Sequence, residues 1–260
     1  MSRFEYLEIE RNRGLSAAER DSDDTPEVLI SSAWNLYWEG AYEEALRLLS
    51  RVLRLEYLNA TAWSGQVWCL VELDELREAD VWADKAIDEL GEVPGAISGK
   101  AAALARQGFA REAMLWTDKA VSCSHKREDQ FASMTWVTRA ELLLRKGNRR
   151  SINLCVSQAS AFSGVGWRAE LAAGRACLYN GSHVLAVEFL SRASERCPLN
   201  HFIWCNLARA HKGLGHLRQA ELSVERALEL KPSSREAAQL QRELAASAGG
   251  LSSVIKRLFG

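Results

Sequence analysis

Only four prolines interrupt 260 residues, and none of them has to stand inside a helix. Runs of β-branched residues are also scarce. Both deficits weigh against strands and leave long helices free to form, so the expected class is all-α. An excess of either charge is missing too. Lys and Arg number 33 against 34 Asp and Glu, a net charge of −1. No global basic field points to nucleic acid, and no acidic bulk points to disorder. No window approaches ~18 consecutive apolar residues, so no membrane-crossing helix is expected. The opening residues, MSRFEYLEIERNRG, lack the apolar run of a signal peptide. The six cysteines form no Cys-x-x-Cys pair and read as reduced, mostly buried thiols of a cytoplasmic protein.

Enzyme-like fragments are equally thin. Gly95 to Gly99, followed by Lys100 and Ala101, has three residues between its glycines where a phosphate-binding loop needs four, and it lacks the Ser or Thr. Ser163 lacks the flanking glycines of a nucleophile elbow. The acidic run Asp21, Ser22, Asp23, Asp24 lacks the glycine and final Glu of a calcium loop. It reads better as a lead-in to a helix opened by Pro26, with Asp24 or Thr25 as cap and Glu27 supporting the positive end. Cys197, His201 and Cys205 are spaced four apart, but a structural zinc site wants four ligands, so packing is the favoured reading. Neither a catalytic residue, a metal nor a cofactor is expected.

What is present is a repeat. Residues 201–232 hold two helical patterns. Phe202, Trp204, Leu207, Ala208 and His211 form one stripe, and Ala220, Leu222, Val224, Ala227, Leu228 and Leu230 mark the second before Pro232 stops it. Gly215 supplies the turn. The first small residue of the second helix recurs as Ala45, Ala79, Ala113, Ala186 and Ala220, with Ile152 as the exception in size in the fourth unit. Its partner seven residues on is Val52, Ala86, Ala120, Ala159, Ala193 and Ala227, and the turns fall at Gly40, Asp74, Gly108, Gly147, Gly181 and Gly215. The spacing is 34 residues except for one longer step, which places an insertion between Ser122 and Gln130. The fourth unit is the least regular, and Gly164 to Gly166 marks a second soft point. Trp63, Trp136 and Trp204 share one position near the start of the first helix.

This unit resembles the tetratricopeptide repeat, whose Trp–x2–Leu–(Gly/Ala), Gly turn, Ala–x6–Ala and closing Pro stand here as Trp204, Leu207, Ala208, Gly215, Ala220, Ala227 and Pro232. Leu217 replaces the family's aromatic after the turn. The resemblance implies a right-handed α-solenoid of six helix–turn–helix units over residues 25–232. Residues 1–24 precede it as an extension. Residues 233–248 are expected to cap it, with Ser233 and Glu236 as capping box, and 249–260 follow as a short amphipathic tail.

The resemblance also implies a concave groove lined by the first helices. Its expected partner-binding residues are Trp34, Tyr37, Trp38, Trp68, Arg106, Arg145, Arg175, Arg209 and Lys212, aromatic at one end and basic at the other. Glu72, Glu141, Arg168, Tyr179 and Asn206 lie on the same expected face. The positions that would clamp a C-terminal carboxylate in co-chaperones of this family hold Ile30, Trp34, Gly65, Gly95 and Gly99, so that clamp is absent. The expected function is a non-catalytic adaptor or scaffold binding a peptide or partner protein, acidic with an apolar anchor, and no nucleic acid. Two other readings are an assembly chaperone for a subunit of a larger complex and a self-assembling homo-oligomer whose residues 1–24 lie in a neighbour's groove. Membrane contact would be peripheral at most, through the tail.

Overall fold

The structure, a computed structural model, describes residues 25–123, 130–144, 147–162 and 166–246. The expected extension 1–24, Arg145, most of the insertion and the tail 249–260 lie outside these residues. The chain divides into two compact units, Met1–Leu142 and Leu143–Gly260. The described residues form helices and no strand.

Unit 1 holds α1 (Pro26–Trp38), α2 (Tyr42–Leu55), α3 (Ala60–Glu72), α4 (Leu76–Leu90), α5 (Pro94–Gln107), α6 (Ala110–Cys123) and nearly all of α7 (Gln130–Leu144). Unit 2 holds α8 (Arg149–Phe162), α9 (Gly166–Tyr179), α10 (His183–Arg196), α11 (His201–Gly213), α12 (Leu217–Leu230) and a last helix, α13, at 235–246. Odd-numbered helices through α11 are the first helices of the hairpins, and even-numbered ones the second.

The six turn positions read from the repeat all carry positive φ, from +62° at Asp74 to +97° at Gly108. A left-handed residue ends one helix and lets the chain reverse. Glycine adopts it without penalty, and a short Asp tolerates it. The small residues of the second helices, from Ala45 to Ala220 and from Val52 to Ala227, are all buried. Their size sets how closely each hairpin closes.

Two of the three tryptophans at the shared position, Trp63 and Trp204, have a common anchor. Trp63 Nε1 donates to Tyr57 O (2.6 Å) and Trp204 Nε1 to Pro198 O (2.9 Å), each six residues upstream. Both tie a first helix to the loop that enters it. The failed phosphate-loop fragment also has a packing role. A Cβ on Gly99 would lie 2.4 Å from Val67 Cγ1, and one on Gly95 2.3 Å from Ser64 Oγ, so α5 lies hard against α3 because these glycines have no side chain.

Two local expectations are corrected. Thr25 occupies the N-cap of α1 but makes no side-chain cap bond; its hydroxyl bonds the Glu27 side chain instead. The cap of α13 is Ser234, whose Oγ accepts from Ala237 N (3.3 Å), not Ser233. Helix α13 covers the last hairpin through Ala237, Leu240 and Leu244, packed on Cys205, Ala208, Ala220, Val224 and Ala227. The end of a repeat array needs such a cover, because its outer apolar face otherwise meets water.

Candidate functional site

On the first-helix side of unit 1, the aromatics turn inward. Trp34, Tyr37, Trp38 and Trp68 are 8%, 3%, 6% and 4% exposed. Trp34 meets the edges of Tyr37 (5.1 Å between centroids) and Phe131 (5.6 Å), and Tyr37 meets Trp38 and Tyr42 in the same way. Trp68 Nε1 donates to the buried Ser98 hydroxyl (3.2 Å). Open aromatic anchors were the expectation. Trp34, Tyr37 and Trp38 instead pack edge to face with neighbouring rings, the arrangement their quadrupoles favour, and Trp68 is tied to Ser98.

Arg106 joins this wall. Its Nη1 donates to Val71 O (2.9 Å), Nη2 approaches Glu72 Oε1 (3.5 Å), and Nε approaches Glu141 Oε1 (3.6 Å). Tyr37 Oη donates to Glu72 (3.4 Å). A polar ladder therefore crosses α1, α3, α5 and α7, with all three charged side chains under 10% exposed. Burial pulls the guanidinium down, but the Glu72 and Glu141 carboxylates outweigh it and hold Arg106 above its ordinary value. Arg106 thus stabilises the wall between first helices and is not an open cation.

In unit 2 the expected cations are more accessible. Arg175 lies over the Phe202 ring (5.3 Å). Arg209 pairs with Glu236 (2.5 Å) and is 44% exposed; Lys212 pairs with Glu243 (2.6 Å) and is 35% exposed. These two pairs flank a cleft of about 370 Å³ between α11 and α13, lined also by Gly213, Gln239 and Leu240. Lys212 and Gln239 hold the Glu243 carboxyl below its usual range. Glu236, Gln239 and Glu243 were not among the expected site residues. Their i, i+3, i+7 spacing on the capping helix was the available signal. Asn206 is buried and bonds its own helix at Phe202 O (2.7 Å).

Cys205 belongs to the core beneath α13. Burial, then Glu236, push its thiol up to about 12. Burial also raises Cys197. No group of three or more His, Cys, Asp or Glu among the described residues is placed to hold a metal ion, and none of their helices is long and apolar enough to cross a membrane.

His211 adds a pH dependence to this end of unit 2. Burial, then the neighbouring His216 ring (6.0 Å), lower it from its ordinary 6.5. The unfolded chain therefore binds more protons at this site, and stability falls as pH drops through about 6.5 and below. Melting temperatures at about pH 7.5 and pH 5.5 should differ less in His211→Gln than in the unsubstituted chain. Equal pH slopes would count against this assignment.

No family model matches the chain, and no curated protein matches it. Solved structures do. The human IFIT1 dimer with PPP-AAAA overlays at a TM-score of 0.58 with 16% identity, over 90% of this chain and 56% of that one, so this chain spans just over half its length. TTC0263, a thermophilic TPR protein of Thermus thermophilus, gives 0.48 with 17% identity, over 86% of this chain and 99% of that chain. YrrB, a TPR protein with an unusual peptide-binding site, gives 0.39 with 14% identity, over 75% and 97%. The 34-residue frame, the left-handed turn in every hairpin and the buried small-residue pairs are features of the chain itself. In fold, the chain is an all-α solenoid of tetratricopeptide-like helical hairpins.

Proposed function

We propose that the chain is a non-catalytic interaction scaffold that takes a peptide or partner segment on its first-helix faces, with the α11–α13 cleft as the point of entry. One observation carries the reading: Arg209 and Lys212 border an open cleft and are held by partly exposed ion pairs. Such pairs contribute about 0–1 kcal/mol, so incoming carboxylates can replace Glu236 and Glu243 at little cost. An acidic segment with an apolar anchor fits, since the stems of the two cations supply apolar contact over a floor in which Leu240 is buried. Arg175 extends the cationic edge. Trp34, Tyr37, Trp38, Trp68 and Arg106 would then act by fixing the spacing of α1, α3, α5 and α7. The free and mostly buried thiols suit a reducing compartment such as the cytoplasm.

The test is capture by the full-length chain, followed by affinity measurement with each purified partner. Arg209→Ala/Lys212→Ala should weaken binding at least about tenfold, the equivalent of 1.4 kcal/mol. Undiminished binding by a folded double variant would sink the cleft reading. A single-stranded oligonucleotide, suggested by the ligand of the IFIT1 structure, serves as competitor and is expected to leave peptide binding unchanged. An assembly-chaperone role predicts in addition that the partner becomes insoluble when this chain is removed.

A further inference from the structure

The near-zero net charge conceals two strongly charged halves. Residues 1–142 carry 16 Lys and Arg against 26 Asp and Glu, whereas residues 143–260 carry 17 against 8. The boundary is the one between the two compact units. Unit 1 is thus about −10 and unit 2 about +9 in a chain of net −1. Copies of such a chain feel little net repulsion, and the acidic unit of one attracts the basic unit of another.

Unit 1 also exposes two large apolar side chains outside the first-helix face. Val81 on α4 and Leu115 on α6 stand at the same repeat position, 65% and 69% exposed. Between their helices, Lys100 binds Asp80 (2.6 Å) and Asp84 (2.8 Å) and lies over the Trp116 ring (5.2 Å). This closes a floor linking α4 to α6. The rim is acidic: α4 carries five carboxylates against two cations, and Asp84 and Asp88 are exposed. The packing of the repeats requires neither apolar residue, because Ala79 and Ala113, two positions earlier, already make the buried contact.

The other half of the chain contains a segment of matching character. Residues 251–260, LSSVIKRLFG, space Leu251, Val254, Ile255, Leu258 and Phe259 at i, i+3, i+4, i+7 and i+8, with Lys256 and Arg257 among them. We propose that residues 251–260 of one copy dock at Val81 and Leu115 of a second copy, in head-to-tail order. The apolar side chains meet Val81, Leu115 and Trp116, and Lys256 and Arg257 meet Asp84 and Asp88. The contact is heterologous, joining different surfaces of two identical chains, so it can propagate beyond a pair. It involves neither the α11–α13 cleft nor its partner, and stands or falls separately from the proposed function.

The experiment uses the full chain with a photo-crosslinking benzoylphenylalanine at position 115, in an equal mixture of isotopically light and heavy copies. The expected adduct joins position 115 of one copy to residues 251–260 of the other. Its yield should fall about tenfold, as for a loss of 1.4 kcal/mol, in Lys256→Glu/Arg257→Glu and in Val81→Asp. Val81 is 65% exposed, and circular dichroism checks that the fold survives in both variants. Light scattering should show mass rising with concentration and falling back with added salt, as screening demands. A constant monomer mass, an adduct confined to one copy, or an adduct mapping elsewhere in the chain or to another protein would overturn the proposal.

Discussion

Replacing Arg106 with Ala should be among the most damaging single changes to unit 1, costing about 3–5 kcal/mol. The substitution removes the cation that lies between Glu72 and Glu141, at 3.5 and 3.6 Å, and so takes a charged partner from two buried carboxylates. The intact network itself adds little net stability, because desolvating three charges offsets most of their attraction. Loss of one member is what is costly. The penalty also has a pH signature. Buried carboxylates that lose a neighbouring cation have higher folded values than with it, so protonation offsets part of the loss, and the gap between variant and unsubstituted chain should narrow as pH falls. Urea unfolding of the full chain at two pH values measures both effects. A loss below about 1 kcal/mol would place Arg106 in solvent and contradict the ladder.

Trp68→Ala is expected to cost a similar amount, about 3–5 kcal/mol, from the cavity left by a large buried ring. Trp68 is 4% exposed, is bonded to Ser98, and lies where α3 and α5 are held close by Gly99. The two readings of this tryptophan separate cleanly. A wall residue lowers the unfolding midpoint of unit 1 and leaves binding at the α11–α13 cleft intact. A groove anchor leaves the midpoint alone and abolishes capture. Denaturation and binding measured on one preparation distinguish them.

The hairpin frame was legible in the residues because it depends on local needs. Position 215 must adopt φ of +73°, and position 220 must be small enough to sit fully buried, whatever the rest of the chain does. The turn at Asp74 was found by spacing and is the informative case, since a non-glycine residue keeps the same left-handed conformation. Side-chain direction on the first helices was harder to read. Trp34 and Trp68 are at positions where the repeat does not require an aromatic, and an aromatic there can face a ligand or a neighbouring ring with equal periodicity. Only the placement of Phe131 and Ser98, on helices far along the chain, decides between them. Arg106 is similar: its partners are 34 and 35 residues away on either side, beyond any local rule. The cleft needed α13 to be placed before Glu236 and Glu243 could be matched to Arg209 and Lys212.

Hydrogen exchange of the full chain, free and saturated with a captured partner, tests the central functional claim most directly. The account predicts slowed exchange in α11 (His201–Gly213) and in residues 235–246, where Arg209, Lys212, Glu236 and Glu243 exchange partners. Slowed exchange confined to α1 through α7, with those two helices unchanged, would contradict it.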